Sequence, residues 1–339
     1  VIKNIVNIGI YVGFLAILIV CIHEKSNLHC DEVYTYVMTN NTTSEAITIA
    51  PDYYCIYEEP EDVWLDRMTV QEGEQFNFAN VWAKQAQDNH PPLYYSLVHI
   101  ISSFFPNMYS KWFAGSVNIV LGRLTLYVLR LTVKKLTCRE YPVFIVTCCF
   151  VFSAGVLSAL TFFRMYVAAM FFVTLISYIF LRGVEKQDFK FYLALYLASI
   201  AGALTHYYFV VYLFFVVVVY GIWLILKKQW KCVGTLIGTM MLAGGTAILI
   251  FPAMLRHVFG GTVRGSQTME QVANGSWSHF VYKFKTAYSI VDSQLFGGLF
   301  AILLIGVGIT VIVKLILQKV KKPECVKRET GIENENWLI

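Results

Sequence analysis

Asp88-Asn89-His90-Pro91-Pro92-Leu93-Tyr94-Tyr95 opens an apolar run that continues through Phe105, and whether residues 92–105 cross a membrane decides how the rest of the chain is threaded. The run is too short to span a hydrocarbon core of roughly 30 Å, which takes about 20 residues. Its helical faces are also mixed. Leu93, Leu97, Ile100, Ile101 and Phe104 fall on one side and Ser96, His99, Ser102 and Ser103 on the other. Such a helix suits the membrane interface, with Pro91 and Pro92 in the first turn where proline is tolerated.

With that run lying flat, eight apolar stretches remain, at about 5–22, 112–133, 142–160, 163–181, 190–204, 206–226, 232–255 and 294–317. The fifth meets the sixth at Thr205-His206-Tyr207-Tyr208, which predicts a tight helical hairpin. The chain is 57% apolar and only 14% charged, with a mean hydropathy of +0.58, so it reads as an all-α polytopic membrane protein. The net charge of +5 does not indicate nucleic-acid binding, because the basic residues cluster beside apolar runs as topology signals do.

Eight spans put Lys3, Arg130, Lys134, Lys135, Arg139, Arg182, Lys186, Lys190, Lys227, Lys228, Lys231 and six basic residues from Lys314 to Arg328 on one side, 17 of the 27 Lys and Arg. Nine fall on the other side, and Arg123 lies within a span. The positive-inside rule therefore predicts both termini in the cytoplasm. The first run lacks a small-x-small cleavage site at Cys21-Ile22-His23-Glu24, so it is expected to be a span rather than a cleaved signal. The expected organisation is a transmembrane module over 1–255 including an outer loop at 23–111, a second outer loop at 256–293, a last span at 294–317 and a basic cytoplasmic tail at 318–339.

The segment 23–90 holds 13 acidic residues against three basic ones. Within it, Met68 to Phe78 alternates like a strand and Asn80 to Gln87 reads as helical. The second outer loop is basic, with Arg256, Arg264, Lys283 and Lys285. Cys30 and Cys55 share the first loop, where a disulfide is open to them but not dictated by spacing. Asn40, Asn41 and Asn274 fit the N-glycosylation pattern.

Four elements carry a resemblance: Asp31-Glu32-Val33-Tyr34-Thr35-Tyr36 after the first span, His90-Pro91-Pro92-Leu93-Tyr94-Tyr95, Phe163-Arg164-Met165-Tyr166 at the outer end of a span, and Thr205-His206-Tyr207-Tyr208. Their order and placement over roughly residues 1–255 resemble membrane glycosyltransferases of the GT-C architecture. The resemblance is to bacterial relatives of the dolichyl-phosphate-mannose protein mannosyltransferases and of the lipid A aminoarabinose transferases. It implies transfer of a sugar from a polyprenyl-phosphate carrier to a glycan, lipid or protein acceptor at the extracytoplasmic face of the plasma (inner) membrane, with inversion. It also implies interfacial helices in the first outer loop. The chain is shorter than most relatives and reads as a minimal or truncated form.

The residue types suit that chemistry, which needs a base for the acceptor proton and cations for the phosphate. Asp31 is the expected base and Glu32 a supporting group, the alternative being a helix cap or a solvated loop pair. Arg164 is expected on the donor phosphate with Tyr166 beside it on the donor or substrate, or else Arg164 as an interface anchor with Tyr166 in an aromatic belt. His90 stands where some relatives carry Lys; it is read as a phosphate or acceptor ligand, or an N-cap. His206 and Tyr207 are expected to line the donor cavity, or to form an aromatic belt.

Convergence of His29, Asp31, Glu32 and His90 would offer a divalent metal site, but no pair has a ligand spacing, so no metal or other cofactor is expected. A transporter or flippase is the competing class. It is disfavoured because every Asp and Glu falls outside the eight expected spans. A catalytically inactive protein of the same fold is the third reading.

Overall fold

In a computed structural model of the chain, residues 2–41, 61–259, 266, 270–271, 273–295 and 298–318 are described. They form two compact units, Val1–Met269 and Glu270–Ile339. The first holds α1 (Ile2–Glu24), α2 (Cys30–Asn40), α3 (Glu61–Met68), α4 (Phe78–Gln87), α5 (Leu93–Ser103), α6 (Lys111–Thr137), α7 (Glu140–Val151), α8 (Ala154–Thr161), α9 (Tyr166–Glu185), α10 (Phe189–Ala203), α11 (Tyr207–Leu226), α12 (Trp230–Ile250) and α13 (Ala253–Phe259). The second holds α14 (Trp277–Leu295) and α15 (Phe300–Gln318), joined by a turn in which Asp292 accepts from the Phe300 and Gly298 amides.

The architecture is all-α and polytopic. Among the described residues, α6, α9, α11 and α12 are long and apolar enough to cross a membrane, and α7 with α8, bent by 54°, makes a fifth. The other three expected spans coincide with shorter apolar helices, Ile8–Glu24, Phe189–Ala203 and Phe300–Thr310. The bend between α7 and α8 falls where Ser153 caps a fresh helix, its Oγ accepting from Val156 N at 3.3 Å.

No strand forms among the described residues, which corrects the expectation for Met68 to Phe78. The alternation there serves single contacts instead. Val70 is buried and its carbonyl accepts from Asn107 N at 2.8 Å, while Phe76 N donates to Ser103 Oγ at 2.9 Å. With no neighbouring strand to pair with, the segment turns through Gly73 at φ +88° and Phe76 at φ +57°.

Helix α5 has 11 residues, about 16 Å of axis, too short to cross. Its faces are used in a way the periodicity does not disclose. The polar face, Ser96, His99, Ser102 and Ser103, is the buried one, and Ile100 and Phe104 are exposed. The outer-loop helices supply the partners: Trp82 Nε1 donates to Ser96 Oγ, and Asn40 Nδ2 to Ser102 Oγ and the Met68 carbonyl. Asn40 is 1% and Asn41 5% exposed, so neither expected glycosylation site is open to modification in the folded chain; Asn274 is exposed. Cys55 and the basic tail beyond residue 318 lie outside the described residues.

Two further contacts place the outer loop over the helix ends. Leu93 N donates to the Leu204 carbonyl at 2.9 Å, fastening the start of α5 to the turn between α10 and α11. That turn is tight because Gly202 lets α11 approach; a Cβ there would lie 2.3 Å from the Phe209 ring. Trp82, Ala86 and Leu93 then pack on the buried cluster of Ile200, Leu204, Ala247, Phe251 and Met254.

Candidate active site

Helix α2 begins directly over the break between α8 and α9, and its first turn explains how. His29 is the N-cap, its Nδ1 accepting from Asp31 N at 3.1 Å, and Glu32 completes the capping box by accepting from His29 N at 2.7 Å. Glu32 is fully buried, and its other oxygen accepts from Phe163 N at 2.8 Å, while Lys25 Nζ lies 2.9 Å from Oε2. Both carboxylate oxygens are thus engaged by three protein donors. The residue expected as a supporting ligand is a tie between the outer loop and the α8–α9 break.

The break itself, Phe162 to Met165, is held from the other side by Asn118 of α6. This buried amide donates to the Leu160 carbonyl at 2.9 Å and the Phe162 carbonyl at 3.1 Å, and accepts from Tyr94 OH at 2.9 Å. Non-helical backbone at the end of a bundle needs such partners, because its carbonyls have lost their helical donors. The result aims Arg164 inward at 7% exposure.

The Arg164 guanidinium is only partly used. Nη1 donates to the Asp31 carbonyl at 3.2 Å, Tyr95 OH at 3.4 Å and Thr35 Oγ1 at 3.5 Å. Nε is buried without a partner, and Nη2 has none among the described residues. A buried donor such as Nε left open is costly unless a ligand fills it, and the Nε–Nη2 edge is the fork that matches two oxygens of a phosphate. The Asp31 carboxylate is half-buried and carries no hydrogen bond or ion pair among the described residues. It does not cap α2, since His29 does.

The remaining expected residues gather on the same side. The His90 ring lies 6.2 Å from that of His206, and His206 lies 5.6 Å from Tyr166, which stacks on Phe162 at 6.1 Å. His206 sits in the turn ahead of α11 as its N-cap, Nδ1 accepting from Tyr208 N at 3.1 Å, so its own proton is on Nε2. Tyr207 departs from expectation: its hydroxyl pairs with His257 Nδ1 at 2.6 Å, and His257 Nε2 donates to the Ala86 carbonyl at 3.1 Å. Tyr207 thereby ties α11 to α13, whose His257 in turn holds α4.

Asp88, in the quoted stretch but not among the expected site residues, accepts from His90 Nδ1 at 2.6 Å. Burial works to raise its carboxyl, but the His90 hydrogen bond and charge, the Asn89 amide and Arg164 together bring it below the ordinary value. The signal for it was the Asp-x-His spacing before the two prolines. Asn118 had none beyond being an amide in an apolar helix.

Of the residues expected to converge on a metal, Glu32 is taken by backbone donors and His90 by Asp88. His29, Cys30 and Asp31 do bring a ring nitrogen, a thiol and a carboxylate oxygen within 4.8 Å of one another. The His29 Nδ1 lone pair there is already spent on the Asp31 amide.

The electrostatics predict a pH effect on stability. Burial, then the charges of His90 and Arg164, push His206 from its ordinary 6.5 down to about 4. The unfolded chain therefore binds a proton at His206 before the folded one does. Its contribution is complete above pH 6.5 and is lost as the pH falls toward 4. The thermal midpoint in detergent should drop across that window, and His206→Asn, which keeps an N-cap, should flatten the slope. An unchanged slope would show that His206 is not held neutral.

Fold and site together define an integral membrane protein with a polar centre, built around the buried Arg164, at one end of its helices. The family model for dolichyl-phosphate-mannose-protein mannosyltransferase matches residues 84–260, more than half of the chain, and the chain belongs to that family. Membership places it among the membrane glycosyltransferases, of GT-C type. The matched region contains His90, Arg164, Tyr166, His206 and Tyr207, whereas Asp31 and Glu32 precede it. No curated protein and no solved structure matches the chain.

Proposed function

We propose that this chain transfers a sugar from a polyprenyl-phosphate donor to an acceptor hydroxyl or amine of a glycan, lipid or protein, with inversion, on the non-cytoplasmic face of the plasma membrane. Both termini are then cytoplasmic, and residues 1–255 act as the transferase module. The observation that carries the reading is the open Nε–Nη2 edge of the buried Arg164, near an Asp31 carboxylate that no described residue engages.

The chemistry follows from that pairing. Arg164 holds the lipid phosphate and meets the charge that grows on its bridging oxygen as the anomeric bond breaks. Asp31 takes the acceptor proton, so that the acceptor oxygen or nitrogen attacks the face opposite the leaving phosphate. Tyr166 and His206 offer ring faces to the sugar or the first isoprene unit. No metal or other cofactor has a part in the step.

The test is transfer in membranes from a panel of polyprenyl-phosphate sugars, with the product's anomeric configuration read by NMR and EDTA as a control. Arg164→Lys keeps the charge but not the fork, and its kcat/KM is expected to fall about 100-fold. Transfer by the wild type that Arg164→Lys leaves intact would remove Arg164 from the phosphate. A wild type inactive with every donor would instead favour an inactive protein of this fold, or a transporter.

A further inference from the structure

His90 and Asp88 form a pair that the transfer reading does not explain. Asp88 ends α4, its amide donating to the Lys84 carbonyl at 2.9 Å, and its Oδ2 accepts from His90 Nδ1 at 2.6 Å. The bond fixes which ring nitrogen is spent. Nε2, on the far side of the ring, has no protein partner among the described residues, although the His90 side chain is only 15% exposed.

The ring has little freedom to swing away. Pro91 and Pro92 follow it, and the Leu93–Leu204 hydrogen bond pins the next residue to the turn carrying His206. The charged and titratable groups around it are Asp88 at the end of α4, Arg164 from the α8–α9 break, His206 from the α10–α11 turn and His257 on α13. Asp88 is the one anion among these, and it touches the imidazole directly.

We infer that Asp88 is a positioning residue for His90: its carboxylate, accepting from Nδ1, fixes the ring so that an Nε2–H points to the oxygen of the leaving lipid phosphate. The inference rests on the transfer reading above. As the anomeric carbon–oxygen bond breaks, its electron pair stays on the phosphate oxygen, and the Nε2 proton moves to that oxygen. Asp31 has meanwhile taken the acceptor's proton, so the reaction leaves a neutral imidazole and a protonated carboxyl. Proton exchange through solvent then restores both.

A purely structural Asp88 would need only an acceptor for Nδ1, which Asn also supplies. The pH profile of kcat/KM separates the two roles. Asp88→Asn is expected to lower kcat/KM about 10- to 100-fold at neutral pH and to move the alkaline limb to lower pH. His90→Lys, which keeps a cation without needing Asp88, should abolish that limb, and in this background Asp88→Asn should cost less than about threefold. A profile unchanged in Asp88→Asn, or an equal loss in both backgrounds, would overturn the inference.

A second readout needs no sugar donor. The affinity of detergent-solubilised wild type for undecaprenyl monophosphate should weaken as the pH rises, and in Asp88→Asn the weakening should begin at lower pH. Superimposable curves count against the inference even if no donor is turned over. Failure of transfer in the wild type, with the binding curves displaced as expected, would instead point to a fault in the donor or acceptor assigned above.

Discussion

Asp31→Asn is expected to lower kcat/KM for sugar transfer about a thousandfold while leaving the thermal midpoint where it is. General-base catalysis contributes roughly 10²- to 10⁴-fold, and an amide of the same shape cannot take the acceptor proton. The fold has little stake in the charge: the Asp31 carboxylate makes no hydrogen bond or ion pair among the described residues, α2 is capped by His29, and a charge in the first turn of a helix contributes only about 0.3–1 kcal/mol. The variant is therefore a clean probe. Transfer within a factor of two of wild type would make Asp31 a solvated loop residue and leave the base to be found elsewhere.

Its neighbour is expected to behave in the opposite way. Glu32→Gln should cost about 3–5 kcal/mol of stability, the range for removing one partner from a buried charged network. Glu32 accepts from His29 N, Phe163 N and Lys25 at once. A glutamine of the same volume has one acceptor oxygen for these donors, and its amide group must face another donor. Thermal unfolding in detergent checks the cost. A midpoint equal to wild type would mean that the tie between α2 and Phe163 adds nothing, and the positioning of Arg164 would need another cause.

These two adjacent acids mark how far the sequence could be read. Asp31 and Glu32 look alike in one dimension, and the residue that separates them, Phe163, is 131 positions away. Apolar run length set the main helices well, because the length of a span is fixed by the bilayer and needs no knowledge of neighbours. The polar face of α5 was visible as a face but not as an inward one. Its partners, Asn40 and Trp82, lie on separate helices of the outer loop. The apparent strand at Met68 to Phe78 failed for a similar reason: alternation records which side chains are buried, not whether a second strand exists to pair with.

The His90 and Arg164 elements stood out in the sequence through their placement at one end of the spans. The partner of the Tyr207 hydroxyl, His257, lies 50 residues on, beyond the reach of any local pattern. Asn118 was silent because a lone amide in an apolar helix has no pattern, although two of its hydrogen bonds hold the backbone that presents Arg164.

The hydrogen bond from Leu93 to Leu204 also bears on biosynthesis. The outer loop leaves the ribosome more than a hundred residues before the turn to which it is fastened. Until that turn has been threaded through the membrane, the amide that opens α5 lacks its acceptor and the His90 ring has nothing opposite it. The loop must therefore persist as an unfinished piece while helices α6 to α10 are inserted. Its buried serines and asparagines give that waiting piece polar partners within itself, and it locks over the helix ends only when the hairpin of α10 and α11 arrives.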